Sequence, residues 1–206
     1  MKRLLLLAAA MCCISLVSCD NEQDLGKFSP EDLEILEINE LISSQSGFDE
    51  EALVADLLNG TMKMTAHYLM IDGKAEKAIP MGGPSPCIQT LFFEDGTCKD
   101  CRTINPIGEN GTPSGWIDTY AEYDWRYDSS SHSIITHDTS YGISYDGTIL
   151  YHDECRIKVL YYNTDNHRLI LEGHIFNLDA HIIRMSGYID IDPAERERII
   201  EKYCNK

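Results

Sequence analysis

Two cysteines three positions apart form the one spacing in this sequence that is typical of metal or redox chemistry. In Cys98-Lys99-Asp100-Cys101, two thiolates could form half of a zinc site or a dithiol redox pair. A structural zinc ion needs two more ligands, and the sequence holds no second pair of this kind. Redox pairs usually begin a helix, whereas this pair follows an Asp-Gly turn signal and suits a strand or loop. We therefore expect no metal and no other cofactor, and we favour structural disulfides over inert thiols.

The first nineteen residues indicate a bacterial lipoprotein signal in which Cys19 is the acylated residue. Lys2 and Arg3 give a basic start, and residues 4–17 are an apolar stretch too short for a permanent membrane helix. Leu16-Val17-Ser18-Cys19 matches a lipobox, in which small residues precede the lipidated cysteine. Each buried acyl methylene contributes about 0.8 kcal/mol, so several palmitate-length chains hold a protein on the membrane. We expect a lipid-anchored cell-envelope protein at the outer membrane, facing the periplasm or exposed on the surface.

Five cysteines remain in the mature chain as candidates for disulfide bonds. Cys12 and Cys13 leave with the signal. Thiols can oxidise outside the inner membrane, so we expect up to two disulfides with one thiol left over. Cys87 and Cys101 come close if their strands form one hairpin around Asp95-Gly96, but the sequence does not select the pairs. The candidate disulfide cysteines are Cys87, Cys98, Cys101, Cys155 and Cys204.

The mature chain is strongly acidic and long enough for one domain with a real core. The full sequence has a formal charge of −17, and cleavage before Cys19 removes Lys2 and Arg3 but no acid, which gives −19. Such a body repels nucleic acid and anionic lipid headgroups, which argues against both as partners. We expect a solvated surface that keeps a tethered domain soluble, and the alternative is a specific cationic ligand.

Histidines and carboxylates are numerous, but they form no recognisable catalytic or metal motif. The sequence has no G-x-S-x-G elbow, phosphate loop or dinucleotide fingerprint. Four acids share one face of a predicted strand, where we expect a solvated face in preference to a Ca²⁺ site; they are Asp118, Glu122, Asp124 and Asp128. We expect every histidine to be exposed or half-buried; they are His67, His132, His137, His152, His167, His174 and His181.

Three helices are predicted from side-chain caps. Residues 19–28 are an acidic, lipidated tether with nothing apolar to bury. Ser29, followed by proline, caps the first helix, and Asp49 caps a second whose leucines share one face. Asp192-Pro193-Ala194-Glu195 reads as a capping box that begins a short C-terminal helix.

From Thr61 onward, the pattern changes to strands separated by turn signals. The runs are rich in β-branched and aromatic residues, and in one of them Ile157, Val159 and Tyr161 are expected on a single face. Asp-Gly dipeptides predict tight hairpins, because both central residues of a type I′ turn need positive φ. About eight or nine antiparallel strands without a βαβ rhythm predict a barrel or a sandwich. The hairpin dipeptides are Asp72-Gly73, Asp95-Gly96 and Asp146-Gly147.

A helix that ends at Gly60, the hairpin sequence LFFEDGT at 91–97 and the strand sequence WRYD at 125–128 follow one another in this chain. This order resembles the lipocalin-like lipoproteins common in Bacteroidetes, over residues 57–191. The resemblance implies an antiparallel barrel of about eight strands with a small-molecule or protein-binding role. One departure concerns the barrel floor, since the tryptophan that plugs it in the family is Met62 here. Either methionine fills the floor, or the barrel is closed in another way.

These observations predict a mainly β protein, an antiparallel up-and-down lipocalin-like barrel with N-terminal helices and a short C-terminal helix. Residues 1–18 are the signal peptide, 19–28 the tether, and 29–206 a single barrel domain with a helical extension at 29–59. We expect a noncatalytic binding protein that holds a small apolar molecule, oriented by tyrosine or histidine groups, or that binds a protein or glycan partner. The alternatives are a structural or inhibitor lipoprotein with a filled barrel and, second, a hydrolase.

Overall fold

The computed structural model describes residues 29–71, 74–78, 89–104, 115–137, 141–143, 149–151, 154–174 and 182–205. Ile35–Lys206 form the compact main unit, and Met1–Glu34 form a second unit of which only residues 29–34 are described. The predicted signal peptide, the tether with Cys19, and Cys87 lie outside the described residues. Within the described part of the chain, no helix is long and apolar enough to cross a membrane.

Three helices lie in the described residues: α1 (Pro30–Ser44), α2 (Glu50–Asn59) and α3 (Pro193–Tyr203). The predicted caps of α1 and α2 are confirmed. The hydroxyl of Ser29 accepts the backbone N–H of Asp32 at 3.2 Å, and the Asp49 carboxylate accepts that of Ala52 at 3.0 Å. Each cap satisfies a backbone donor that has no partner inside its helix, so the ends of both helices are fixed locally.

The predicted capping box of α3 forms only in part. Asp192 accepts the backbone N–H of Ala194 at 3.0 Å, as expected of an N-cap. Glu195 does not return to the backbone of Asp192, because its carboxylate binds Lys63 at 2.7 Å and Arg198 at 2.7 Å. Tertiary charge pairs thus replace the local hydrogen bond that the spacing predicts.

Eleven strands are described, and eight of them close into a barrel. Each barrel strand pairs antiparallel with the next one, and β11 returns to pair with β1, which completes the ring β1, β3, β4, β5, β6, β9, β10, β11. Strand β2 pairs with the far half of β1, and β7 and β8 form a separate two-stranded sheet. The predicted mainly β, up-and-down barrel is therefore confirmed. The strands are β1 (Thr61–Ile71), β2 (Lys74–Ala78), β3 (Gln89–Phe92), β4 (Thr97–Ile104), β5 (Ile117–Asp128), β6 (Ser133–His137), β7 (Tyr141–Ile143), β8 (Ile149–Tyr151), β9 (Cys155–Asn163), β10 (Arg168–His174) and β11 (Ile182–Asp190).

The hairpin at Asp95-Gly96 is present, but its turn is not type I′. Of the two residues, only Gly96 has positive φ, at +85°. The backbone N–H of Gly96 donates to Phe93 O at 3.1 Å, and the N–H of Phe93 donates to Thr97 O at 2.9 Å. This is a three-residue loop in which glycine takes the left-handed position after the turn. The other two Asp-Gly dipeptides lie outside the described residues.

Two bulges in the barrel reverse the alternation that the sequence predicts. In β9, Val159 pairs with Leu171 and Tyr161 with Ile170, so Leu160 is an extra residue. The prediction that Tyr161 shares a face with Val159 is therefore wrong, since Tyr161 packs outside the barrel under α1. In β1, Thr65 is extra between Met64 and Ala66. Each bulge moves every later side chain of its strand to the other face.

The helices cover different parts of the barrel. Residues 35–44 of α1 pack on the outer face of β1, β9 and β10, with Ile38 buried. Helix α3 packs on the outer face of β3 and β4 through Ile199 and Tyr203. Helix α2 joins the interior core instead, where Leu53 and Leu57 are fully buried. One end of the barrel is therefore closed by α2.

Candidate ligand-binding cavity

The barrel interior contains a cavity of about 250 Å³. It is lined mainly by apolar side chains from strands around the ring. A barrel of eight strands is just wide enough to be filled by side chains or to hold one small ligand. The described lining residues are Met62, Met64, His67, Thr90, Phe92, Cys98, Asp100, Tyr123, Ile134, Thr136, Cys155, Ile157, Leu171 and Met185.

His67 lines the cavity because of the bulge at Thr65. Without the extra residue, His67 would face away from Met62 and Met64, but with it all three side chains line the interior. The His67 Nε2 atom is buried and has no hydrogen-bond partner among the described residues. Burial lowers the pKa of His67 below its usual value of 6.5, because the charged imidazolium loses its hydration. A neutral ring with one unsatisfied nitrogen therefore faces the cavity.

Asp100 is the second polar group of the cavity and comes from the middle of β4. The Thr90 hydroxyl, on the neighbouring strand β3, donates to Asp100 Oδ1 at 2.6 Å. Thr90 is itself only 5% exposed. The hydrogen bond from Thr90 holds the carboxyl group of Asp100 beside the cavity. Asp100 and His67 thus add two polar groups with hydrogen-bonding capacity to a mainly apolar chamber.

Small or flexible side chains leave the volume open in this half of the barrel. Thr136 and Cys155 pair directly across β6 and β9, and both line the cavity. Gly173 is buried in β10, and a methyl group added there would meet only Met185 at 3.7 Å and Ile157 at 3.9 Å. These are ordinary contact distances, so the glycine leaves space beside the cavity wall.

The end closed by α2 has a different construction. Leu53 and Leu57 pack in one core with Leu169 and Ile189, while the rings of Phe92 and Trp125 meet edge to face at 4.6 Å. The Trp125 indole N–H donates to Phe93 O at 3.0 Å. Met62 is buried and lines the cavity, but it does not close the barrel alone. Helix α2 and the Phe92–Trp125 ring pair close this end of the barrel together with Met62.

Polar side chains at the closed end form hydrogen bonds with one another or with the backbone. Asp56 of α2 accepts hydrogen bonds from the hydroxyl of Tyr162 and from His167 Nδ1, the latter at 2.7 Å. Arg196 of α3 donates to the carbonyl oxygens of Gly60 and Phe92, the latter at 2.7 Å. The Asp56 contacts join α2 to the end of β9 and to the residue before β10, and the Arg196 contacts join α3 to the residue before β1 and to the end of β3. This end of the barrel is fixed by hydrogen bonds as well as by packing.

The Cys98–Cys101 pair does not form a common site. The two residues lie three apart on β4, so their side chains point to opposite faces: Cys98 lines the cavity, and Cys101 packs outside against α3. Burial raises the pKa of each thiol to about 12, which keeps both protonated. They cannot bind one metal ion together or act as one redox pair in this fold.

All four described cysteines carry free thiols in this structure: Cys98, Cys101, Cys155 and Cys204. Burial raises the pKa of the Cys155 thiol as well. Cys101 and Cys204 pack in the same cluster, on the outer face of the barrel beside α3. Among the described cysteines, this is the pair that shares a cluster outside the barrel, and disulfide formation remains a prediction.

The other predicted candidates that the structure describes do not line the cavity. Glu122 and Asp124 are exposed on the outer face of β5, opposite Tyr123 and Trp125. Asp118 binds Thr103 and Asp128 binds Ser130, both at 2.7 Å or less. His132, His137 and His167 face carboxylates, whereas His152, His181 and the side chain of His174 lie outside the described residues. Among the residues that the structure describes, no group of three or more His, Cys, Asp or Glu could hold a metal ion.

No protein-family model matches this sequence, and a comparison with curated proteins finds no significant match.

Proposed function

We propose that this protein is a noncatalytic binding protein that holds a small, mostly apolar molecule inside its barrel. The observation that carries the proposal is the cavity of about 250 Å³, walled mainly by apolar side chains and lined by His67, whose buried Nε2 has no partner among the described residues. Binding sites for small molecules combine apolar walls with a few convergent polar groups in this way. A filled barrel, as expected of a purely structural lipoprotein, would leave no such volume.

The volume limits the size of the ligand. A dry cavity of about 150 Å³ accepts benzene, so this cavity suits a molecule of about ten non-hydrogen atoms. That is smaller than a long-chain fatty acid or a porphyrin. We infer a compact ligand held in one half of the barrel, with its polar group directed at His67 or Asp100.

We further propose that the protein acts at the cell envelope, anchored by lipid on Cys19 at the outer membrane. The lipobox Leu16-Val17-Ser18-Cys19 and the acidic tether support this proposal. A tether of about ten residues would let the barrel stand off the bilayer while remaining bound to it. The ligand would then be captured in the periplasm or at the cell surface.

Native mass spectrometry of the mature protein, extracted gently from its own membranes, tests the binding proposal. We expect a retained small molecule, and we expect Ile157→Trp to lose it because Ile157 lines the cavity and the indole fills it. Ile157→Leu is the matched control, since it conserves volume and should keep the ligand. A bare mass for the wild-type protein would favour a structural or partner-binding role instead. The same spectrum counts the disulfides.

Processing of Cys19 tests the anchor. We expect Cys19→Ala to abolish the cleaved, acylated product, because the thiol is the only lipid attachment point in the lipobox. Mass spectrometry of the N-terminal peptide is the measurement, since an uncleaved signal could still hold the mutant on the membrane. An acylated, processed product from the mutant would contradict the proposal.

A protein or glycan partner is the second candidate, supported by an exposed apolar group at the start of β5. Trp116, Ile117 and Tyr120 are 54%, 47% and 37% exposed. Aromatic side chains on an outer face suit sugar or peptide contacts. Replacement of Trp116 by serine should leave a cavity ligand in place, and it should weaken a partner complex if this surface forms one.

A further inference from the structure

Among the lining residues that the structure describes, the cavity carries formal charge of one sign. Among the described lining residues, Asp100 is the only Asp or Glu, and none is lysine or arginine. The acid sits beside Thr90 in the middle of β4, so its charge lies within the barrel wall and not at the outer surface. The whole chain adds a formal charge of −17, which concentrates cations around the molecule. Electrostatics therefore favours a positive or neutral ligand over a negative one.

The hydrogen-bonding groups of the cavity also suit a donor. The carboxylate of Asp100 can only accept hydrogen bonds, and a neutral imidazole offers a lone pair at one nitrogen. His67 Nε2 is buried without a partner among the described residues, so a ligand N–H directed at it would satisfy an atom that the protein leaves open. A carboxylate ligand has no proton to offer to Asp100 and would face it charge against charge.

The cavity walls are compatible with a cation that carries an apolar body. The rings of Phe92 and Tyr123 line the chamber, and aromatic faces attract cations through their quadrupole. The thioethers of Met62, Met64 and Met185 are polarisable and adapt to irregular shapes. Together they surround a body of six to ten carbon atoms, about the size that the volume permits.

We propose that the cavity selects a small organic amine in its protonated form, with the ammonium group bound by Asp100 and His67 and the apolar body against the methionines. This inference rests on the proposed binding function and specifies the chemical class of its ligand. Carboxylic acids of the same shape are excluded. The charge of Asp100 makes that choice, whereas the apolar walls accept amine, alcohol and acid alike.

Three probes of matched shape test the inference: 2-phenylethylamine, 2-phenylethanol and phenylacetate. Ligand-observed NMR is measured on the mature wild-type protein in lipid nanodiscs, after any retained molecule has been removed and its removal has been checked by native mass spectrometry. Nanodiscs that carry the Ile157→Trp protein give the blank for probe uptake into lipid. We expect the amine to bind at least tenfold more tightly than the alcohol, and phenylacetate to give no signal above the blank.

Two variants assign the preference to Asp100. We expect Asp100→Asn to reduce the tenfold preference for the amine to about twofold while the alcohol still binds. Asp124→Asn makes the same change on the exposed outer face of β5 and should keep the full preference. The ranking of the three probes on the wild-type protein needs no variant, so it stands if Asp100→Asn fails to fold.

The outcomes separate the two proposals. Binding of phenylacetate as tight as that of the amine overturns the inference and leaves the binding function standing. An undiminished amine preference in a folded Asp100→Asn protein also overturns it. If no probe binds wild-type protein above the Ile157→Trp blank, both this inference and the proposed binding function are contradicted.

Discussion

The two halves of the barrel interior are built from the same strands in opposite ways. At the closed end, Leu53 and Leu57 of α2 meet Leu169 of β10 in a core with no exposed side-chain surface. In the cavity half, two positions further along β10, Leu171 faces a chamber of about 250 Å³. The pairing of β10 with β11 is continuous through both halves, whereas the pairings of β9 with β10 and of β1 with β11 each contain a bulge.

Side-chain size and polar pairing separate the two halves. Large residues from α2 and the Phe92–Trp125 ring pair fill the closed end. Threonines, cysteines and Gly173 leave the cavity half open. Asp56 is bound by two side chains at the closed end, whereas His67 Nε2 has no partner among the described residues. The closed end is therefore filled and hydrogen-bonded. The cavity half retains open volume and a buried nitrogen that has no partner among the described residues.

The largest expected difference in stability between the two halves involves Gly60, where α2 leads into β1. A Cβ added there would lie 2.6 Å from Ile189 Cγ2 and 2.8 Å from the carbonyl oxygens of Asp56 and Asp190. We expect Gly60→Ala to lower the free energy of unfolding by about 3 kcal/mol, because two of these contacts are with backbone. Urea denaturation of the barrel domain, prepared without the signal peptide and the tether, measures the free energy of unfolding.

Gly173→Ala is the matched control in the cavity half. Its added methyl meets neighbours only at 3.7 Å or more, so we expect a change within about 0.5 kcal/mol. Equal losses from the two substitutions would contradict the distinction between a filled end and an open half.

A pair of leucines on β10 tests the same distinction, with a smaller expected difference in stability between the two variants. Leu169 and Leu171 are both buried, but only Leu171 lines the cavity. We expect Leu169→Ala to cost about 4 kcal/mol and Leu171→Ala about 2 kcal/mol, because a side chain beside an existing void already lacks contacts on one side. Chemical denaturation of the two variants gives the comparison. A larger loss at Leu171 would mean that the cavity is not open in solution.

The local elements of this fold were predictable from the sequence. The caps at Ser29, Asp49 and Asp192 fix helix starts through hydrogen bonds that span two or three residues. Strand β1 begins at Thr61, where the sequence pattern changes to strands, because β-branched and aromatic runs favour extended backbone. The closing of the ring between β1 and β11 was expected only through the family resemblance, since strand partners distant in sequence leave no local signal.

The cavity residues were harder to predict, and the bulge at Thr65 is the main reason. Simple alternation along β1 places His67 opposite Met62 and Met64, on the outer face. The extra residue depends on pairing with β11, which no property of β1 alone reveals. Asp100 lies between Cys98 and Cys101, the pair whose spacing is typical of metal or redox chemistry. Its position two residues after Cys98 on a strand was the available signal, because both then face the interior.

An ion pair near the closed end should make the barrel lose stability in acid. Hydrogen bonds from Arg198 and then Lys63 hold the pKa of Glu195 at about 2, below its usual 4.5. The folded state therefore gains stability that is fully present above about pH 4.5 and is lost as the pH falls through about 2. We expect Glu195→Gln to cost about 1 to 2 kcal/mol at pH 7, after allowance for solvent screening.

Denaturation at pH 7 and at pH 2 measures this effect, and the difference between the variant and wild type should shrink at the lower pH. The exposed Glu197, two positions along α3, provides the control, and Glu197→Gln should change stability by less than about 0.5 kcal/mol. A cost for Glu195→Gln that is the same at both pH values would assign the effect to packing instead of charge.

The smallest expected effect is a gain in stability, and it concerns His67 in the cavity half. Burial lowers the pKa of His67, so the unfolded chain takes up a proton first as the pH falls through about 6.5, and the folded state loses stability below that pH. Among the described lining residues, the other titratable groups are Asp100, Tyr123 and the thiols of Cys98 and Cys155.

We expect His67→Leu to raise stability by about 1 kcal/mol at pH 7, because it removes a buried nitrogen that has no partner among the described residues. The substitution should also flatten the pH dependence of stability between pH 7 and 5. The same substitution should weaken binding of the amine probe, since a residue kept at a cost in stability is expected to serve the ligand. A destabilised variant that binds the amine as well as wild type would show instead that His67 supports the wall of the barrel.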